Sequence, residues 1–217
     1  MQNDETGAAS TPVSSMNLEA AGAPVRKRPK PGERRVQILQ ALASMLEQPG
    51  AERVTTAALA ARLAVSEAAL YRHFASKAQM FEGLIDFIEQ SVFTLVNQIT
   101  ERSEPGREQA ARVVAMLVQF AEKNPGMTRV MVGDALVYEN ERLQNRMNQF
   151  FDKIEATLRQ ALRGAAADEG SATPTVDAQV RASALTAFVA GRLQRFARSG
   201  FRRAPSEHLD AAIALML

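Results

Sequence analysis

The chain has 217 residues and contains no cysteine, no tryptophan, two tyrosines and two histidines. Without cysteine there is no disulfide and no thiolate to hold a metal, which fits a reducing, cytoplasmic setting. The histidines, His73 and His208, stand far apart, and His208 reads as surface. There is no glycine-rich phosphate loop, no cluster of metal-ligand spacing and no nucleophile with a base at motif spacing. Enzyme chemistry is thereby excluded, and no cofactor or metal is expected. No apolar run reaches the roughly 20 residues that cross a bilayer, and the N-terminus lacks the apolar stretch of a signal peptide. No membrane contact is expected. Basic residues are missing from residues 1–25, which hold only Asp4, Glu5 and Glu19 as charges.

Apolar residues are plentiful, at 46% of the chain, enough for a sizeable core. The most informative stretch is Val54 to Lys77, VTTAALAARLAVSEAALYRHFASK. Thr55 or Thr56 can cap a first short helix, because a hydroxyl there accepts from a free backbone N–H. Leu59 and Leu63, four apart, give that helix one apolar face. Ser66 caps a second helix with Glu67 in its first turn, where negative charge suits the dipole. Val65, Leu70 and Phe74 point inward, and Ser76 opens a third helix by the same logic. Two short helices about a tight turn, with an exposed N-terminal face on the second, make a helix-turn-helix.

Charge agrees with that reading. Residues 26–77 hold ten Lys and Arg against Glu33, Glu47, Glu52 and Glu67, whereas residues 78–217 hold sixteen bases and seventeen acids. Positive charge gathered on the helix-turn-helix segment is the footprint of a nucleic-acid face. On the second helix, Glu67 can accept from cytosine N4, and Ala68 or Ala69 can touch a thymine methyl, beside Ser66 and Arg72. Thr55, Thr56, Tyr71, His73 and Lys77 suit phosphate oxygens. Arg34 and Arg35 open the preceding helix, where they oppose its dipole, and so are also read as phosphate contacts. Residues 1–32 are rich in Ala, Ser, Pro and Gly and read as a disordered tail, ending in a basic arm, Arg26-Lys27-Arg28-Pro29-Lys30. The arm could track phosphates or merely solubilise the chain.

The run Ala64-Val65-Ser66, then Leu70-Tyr71-Arg72-His73-Phe74, then Ser76-Lys77 resembles the DNA-binding module of the TetR family. The resemblance implies an all-α fold, with a three-helix head over residues 33–77 and a helical regulatory and dimerisation body over 78–217. It also implies a homodimer on near-palindromic double-stranded DNA, with the matching Tyr71 and Lys77 on phosphate.

Along the rest of the chain, Glu33–Gln48 reads as a helix with Val36, Leu39, Leu42, Ala43 and Leu46 inward, closed by Pro49-Gly50. From Lys77 to about Arg102 a long helix carries Phe81, Leu84, Ile85, Ile88, Val92, Leu95, Val96 and Ile99 as its core stripe. Met80 and Phe87 lie off that stripe, seven apart, on one flank. Helices are further expected over Arg107–Lys123, over Pro125 to about Met131 behind an Asn124 cap, and from Asp134 to a loop at Gly164–Thr175. The last two open at Pro174 and Ser206. Ala184, Ala187 and Gly191 give the first of these a small-residue face, and the tail AAIALML is too apolar for water. Paired with twofold copies, the two would form a four-helix interface.

Several body segments, among them NPGMTR and GDALVYENERLQNRMNQFFDKIEATLRQALR, resemble the nucleoid-occlusion branch of the TetR family. That resemblance implies a nucleoid-associated dimer which, bound to dispersed palindromes, engages the bacterial division protein FtsZ and antagonises its ring. The matching partner-binding positions are Phe87, Met116, Gln119, Lys123 and Asn124. Leu95 and Gln119 depart from the branch, where Arg and Gly stand. No small-molecule effector is expected on this reading. The alternative is a ligand-responsive repressor, whose body would hold a roomy apolar pocket with polar anchors.

Overall fold

In the computed structural model, residues 32–48 and 53–217 are described. The basic arm and Pro49-Gly50 lie outside the described residues. Within them the chain is all-helical, with no strand: α1 (Glu33–Leu46), α2 (Thr56–Arg62), α3 (Glu67–Tyr71), α4 (Lys77–Thr100), α5 (Gly106–Lys123), α6 (Pro125–Met131), a single 3-10 turn (Asp134–Leu136), α7 (Glu141–Asp168), α8 (Pro174–Arg198) and α9 (Leu209–Met216).

The caps explain the head. Thr55 Oγ1 accepts from Ala58 N at 3.2 Å, Ser66 Oγ from Ala69 N at 3.3 Å and Ser76 Oγ from Gln79 N at 3.2 Å. Each such cap stabilises its helix by about 1 kcal/mol. Between α2 and α3 the chain turns through Ala64 at φ 52, and Val65 N bonds back to the Ala60 carbonyl at 3.0 Å. Ile38, Leu42, Leu46, Leu59, Leu70 and Phe74 close the head's core, none more than 1% exposed. Ile38 takes the place expected for Val36, which is 53% exposed. Residues 38, 42 and 46 set the phase of α1, and Val36 falls on its far side.

α4 is shared between head and body. Its N-terminal turns lie under the head, where a Cβ on Gly83 would sit 3.0 Å from Leu39 and 3.5 Å from Phe74. Hence Met80 is buried, whereas Phe87, expected to share its flank, is 48% exposed beyond the head's cover. Leu95, expected in the core stripe, is 39% exposed. In the body, Val113, Leu117, Phe150, Ile154 and Leu185, none above 1% exposed, draw α5, α7 and α8 together. Phe150 stacks edge-on between Phe93 and Phe151, with centroids 5.4 and 5.3 Å away.

Two boundaries of α7 differ from expectation. Gly133, at φ 82, turns the chain into the 3-10 turn, and α7 begins only where Asn140 Oδ1 accepts from Arg142 N at 3.0 Å. At its other end α7 runs straight through Gly164, because Ala165 and Ala166 continue the buried face. It ends at Asp168, closed by Gly170 at φ 77 and by Ser171 N reaching back to the Ala166 carbonyl. α9 starts at Leu209, after His208 in the left-handed region at φ 52, rather than at Ser206.

Two glycines permit close helix crossings. A Cβ on Gly126 of α6 would lie 2.1 Å from the Ala43 carbonyl oxygen of α1, and one on Gly106 of α5 would lie 2.0 Å from that of Ala161 on α7. The first crossing seats α6 directly on the head.

Candidate nucleic-acid interface

The exposed N-terminal face of α3 presents Ser66, Glu67, Ala68, Tyr71 and Arg72 to solvent, with Ala69 half-buried. Two of the residues assigned to reading or gripping DNA hold each other: Thr56 Oγ1 donates to Glu67 Oε2 at 2.6 Å. That bond joins the start of α2 to the start of α3 and fixes the Glu67 carboxylate. Thr55 is committed to its cap, yet its side of the helix stays exposed.

Arg35 has an internal task that local sequence does not disclose. Its Nη1 donates to the His73 carbonyl at 2.9 Å, and its guanidinium lies 4.0 Å above the Phe74 ring. It thereby closes the C-terminal end of α3 against α1. Arg34 is half-buried, and the His73 side chain is exposed. Lys77, at the first turn of α4, forms an ion pair with Glu139 from the segment between the 3-10 turn and α7. Its ammonium also sits 5.6 Å from the Phe81 ring. Sequence reasoning missed Glu139, whose partner is 62 residues away.

Further along α4, Phe87 is flanked by Asp86 and Glu89, both bound to Arg146 of α7 at 2.6 and 2.7 Å. The hydrogen bond from Arg146 to Glu89 holds the guanidinium further above its already high range, against the opposing effect of partial burial. On α5, Met116 is half-buried, while Gln119 and Lys123 are exposed on the same face. Asn124 does not cap α6 with its side chain; its Nδ2 donates back to the Phe120 carbonyl at 2.7 Å.

The outer face of α8 carries Val176 and Val180, 58% and 64% exposed, followed at helical spacing by exposed Ala184, Ala187 and Gly191. Among the described residues no group of acids and histidines could hold a metal, and no helix is long and apolar enough to cross a membrane.

A capped helix-turn-helix head, joined through one long helix to an all-helical body, defines a DNA-binding regulator of the TetR class. Family models agree: residues 38–84 match "Bacterial regulatory proteins, tetR family", and residues 108–217 match the SlmA-like "Tetracyclin repressor-like, C-terminal domain". The nucleoid occlusion factor SlmA of Vibrio vulnificus strain YJ016 is 50% identical over 188 residues, covering 86% of this chain and 95% of its own. That of Aliivibrio fischeri strain MJ11 is 49% identical over 189 residues, covering 87% and 96%. Among solved structures, the fatty acid degradation regulator FadR of Bacillus halodurans superposes with a TM-score of 0.68 at 14% identity, covering 87% of this chain and 97% of that one. A TetR-family regulator of Bordetella parapertussis also gives 0.68, at 17% identity, covering 86% and 95%. The likeness to these structures shows the fold. The chain belongs to the SlmA nucleoid occlusion factors, a branch of the TetR family.

Proposed function

We propose that this nucleoid occlusion factor grips palindromic duplex DNA as a homodimer through residues 33–77 and, while bound, engages FtsZ with a separate patch on residues 78–217. Phe87 carries the proposal. A phenylalanine 48% exposed beside the buried Ile85 and Ile88 invites a protein partner, and its acidic neighbours Asp86 and Glu89 are both ion-paired to Arg146. Leu95, two turns on, extends the apolar surface. Met116 adds apolar contact, while Gln119, Lys123 and Asn124 supply a polar edge with one cation for an acidic tail. Thr55, Thr56, Tyr71, His73, Lys77 and Arg34 hold phosphates on this reading. Ser66, Glu67, Ala68, Ala69 and Arg72 face base edges, and Arg35, which also braces α3 through the His73 carbonyl, joins the phosphate contacts with the rest of its exposed guanidinium.

The dimer is assigned to α8 and α9 paired with their twofold copies: the exposed row of Val176, Val180, Ala184, Ala187 and Gly191 on α8 lets a second copy approach closely, and Leu215 of α9 is 89% exposed. The protein works without a small-molecule effector or cofactor on this reading, since Phe150, Ile154, Val113 and Leu117 use the body's centre for packing.

The test is sedimentation of FtsZ polymer with GTP, with and without the protein and a cognate duplex. Polymer should change only when both are present. Phe87→Ala should keep DNA binding and abolish the change. No DNA-dependent change with the unaltered protein would favour the ligand-responsive repressor, and loss of DNA binding in Phe87→Ala would make that residue part of the fold.

A further inference from the structure

The C-terminal end of α8 and the loop after it hold Arg192, Arg195, Arg198, Arg202 and Arg203 within twelve residues. Among the described residues none of the five has a carboxylate within ion-pairing distance, whereas Arg102, Arg107, Arg112, Arg142, Arg146 and Arg181 of the same body are all paired. Arg192 is built in. Its Nη1 donates to the Pro205 and Glu207 carbonyls at 2.9 and 2.5 Å, and its guanidinium lies 4.6 Å from the Phe188 ring. Arg202 Nε donates to the Ser199 carbonyl at 2.9 Å, while the residue is exposed and its Nη groups make no hydrogen bond to the described residues. Arg195, Arg198 and Arg203 are exposed, and their guanidinium groups make no hydrogen bond to the described residues. The helix dipole accounts for Arg195 and Arg198 in the last turn of α8, but Arg202 and Arg203 lie beyond the helix. Arg192, Arg195 and Arg203 also line a cleft of about 240 Å³ with Pro205 and His208.

The fold puts this cluster at the end of the body that meets the head. α8 runs antiparallel to α7: Gln179 bonds Glu155, while Gln194 shares a groove with Gly133 and Gln144. The arginines therefore come level with the start of α7, beside the segment whose Glu139 binds Lys77. Phe201, within the cluster, lies 5.1 Å from the guanidinium of Arg129 on α6, and α6 is seated on α1.

We propose that this arginine cluster is a second phosphate-binding surface, which holds the backbone of the same duplex that the head reads. It rests on the DNA-binding reading above. Guanidinium groups without an internal carboxylate, clustered on the head's side of the body, complement a phosphodiester backbone. Such contacts carry no base information and so add affinity to every duplex alike.

The test compares the whole protein with its Arg198→Gln/Arg202→Gln/Arg203→Gln variant, on the cognate duplex and on a scrambled one, across a salt titration. Removing one phosphate-binding cation flattens the plot of log affinity against log salt by about 0.9. The variant should flatten it by about 2 or more per dimer, and weaken both duplexes by the same factor, at least about tenfold at low salt. The corresponding Arg→Lys triple should recover most of the slope, and circular dichroism should match the parent for both. An unchanged slope in a well-folded variant would overturn the proposal. So would unchanged DNA binding combined with loss of binding to an acidic peptide or to anionic vesicles, which would assign the cluster to that partner instead. If the parent bound neither duplex, the head reading itself would fail, and this proposal with it.

Discussion

Gly191 offers the sharpest test of how two copies pair. It lies within α8, where a Cβ would meet nothing within 4 Å of its own chain. In a lone protomer the Cβ of Gly191→Leu therefore meets no clash, and the better helix former should gain up to about 1 kcal/mol. If α8 packs on its twofold copy at this point, the leucine instead enters an occupied space. Overpacking costs about 1–3 kcal/mol per site, and symmetry counts it twice. The dimer should then weaken by about 2–6 kcal/mol, or roughly 30-fold to 10⁴-fold in dissociation constant. Sedimentation equilibrium measures this directly. Gly164→Leu is the matched control, because Gly164 is also helical with nothing within 4 Å of a Cβ, but lies in the groove with α5 on the other side of α7. It should leave assembly unchanged. A Gly191→Leu protein that keeps its helicity and dimerises as tightly as the parent would refute the assignment of α8.

Two more outcomes are expected. Lys77→Ala should weaken binding to all duplexes and flatten the salt slope by about one for each phosphate it leaves ungripped, whereas Glu139→Gln, which releases Lys77 from its internal partner, should not flatten it; a salt titration of both distinguishes a phosphate ligand from a purely structural lysine. Gly126→Ala should force α6 off the Ala43 carbonyl and cost about 1–3 kcal/mol, lowering Tm by about 2–4 °C for each kcal/mol; an unchanged melting curve would show that the crossing is loose.

What is legible in a sequence is whatever depends on near neighbours in the chain. The caps at Thr55, Ser66 and Ser76 can be read directly because donor and acceptor are three residues apart. Periodicity finds the helices but not their cover: Met80 and Phe87 stand seven apart on one flank, and only the head, folded over one of them, separates core from surface. Arg35 and Lys77 illustrate the limit for charge. Both have the character of free phosphate ligands, yet Arg35 closes α3 through His73, 38 residues away, and Lys77 is shared with Glu139. The start of α7 differs from expectation because a 3-10 turn and an irregular segment carry apolar residues, Leu136 among them, at helix-like spacing.

On the proposed reading, α4 also bears on why partner binding should need DNA. Lys77 and Phe87 stand ten residues apart on one continuous helix, about 15 Å along its axis. Arg146 ties the segment around Phe87 to α7 through Asp86 and Glu89, so Phe87 is already held in place without DNA. A ligand shifts a conformation only by as much as its affinities for two states differ, and the clamped segment gives Phe87 little second state to favour. DNA would then act by gathering many dimers along a short length of chromosome, raising the effective concentration of a fixed patch against a filament of repeated tails. That mechanism requires the duplex to bring copies together. A duplex with a single site should arm the protein far less than one of equal length with several, at the same total number of bound dimers.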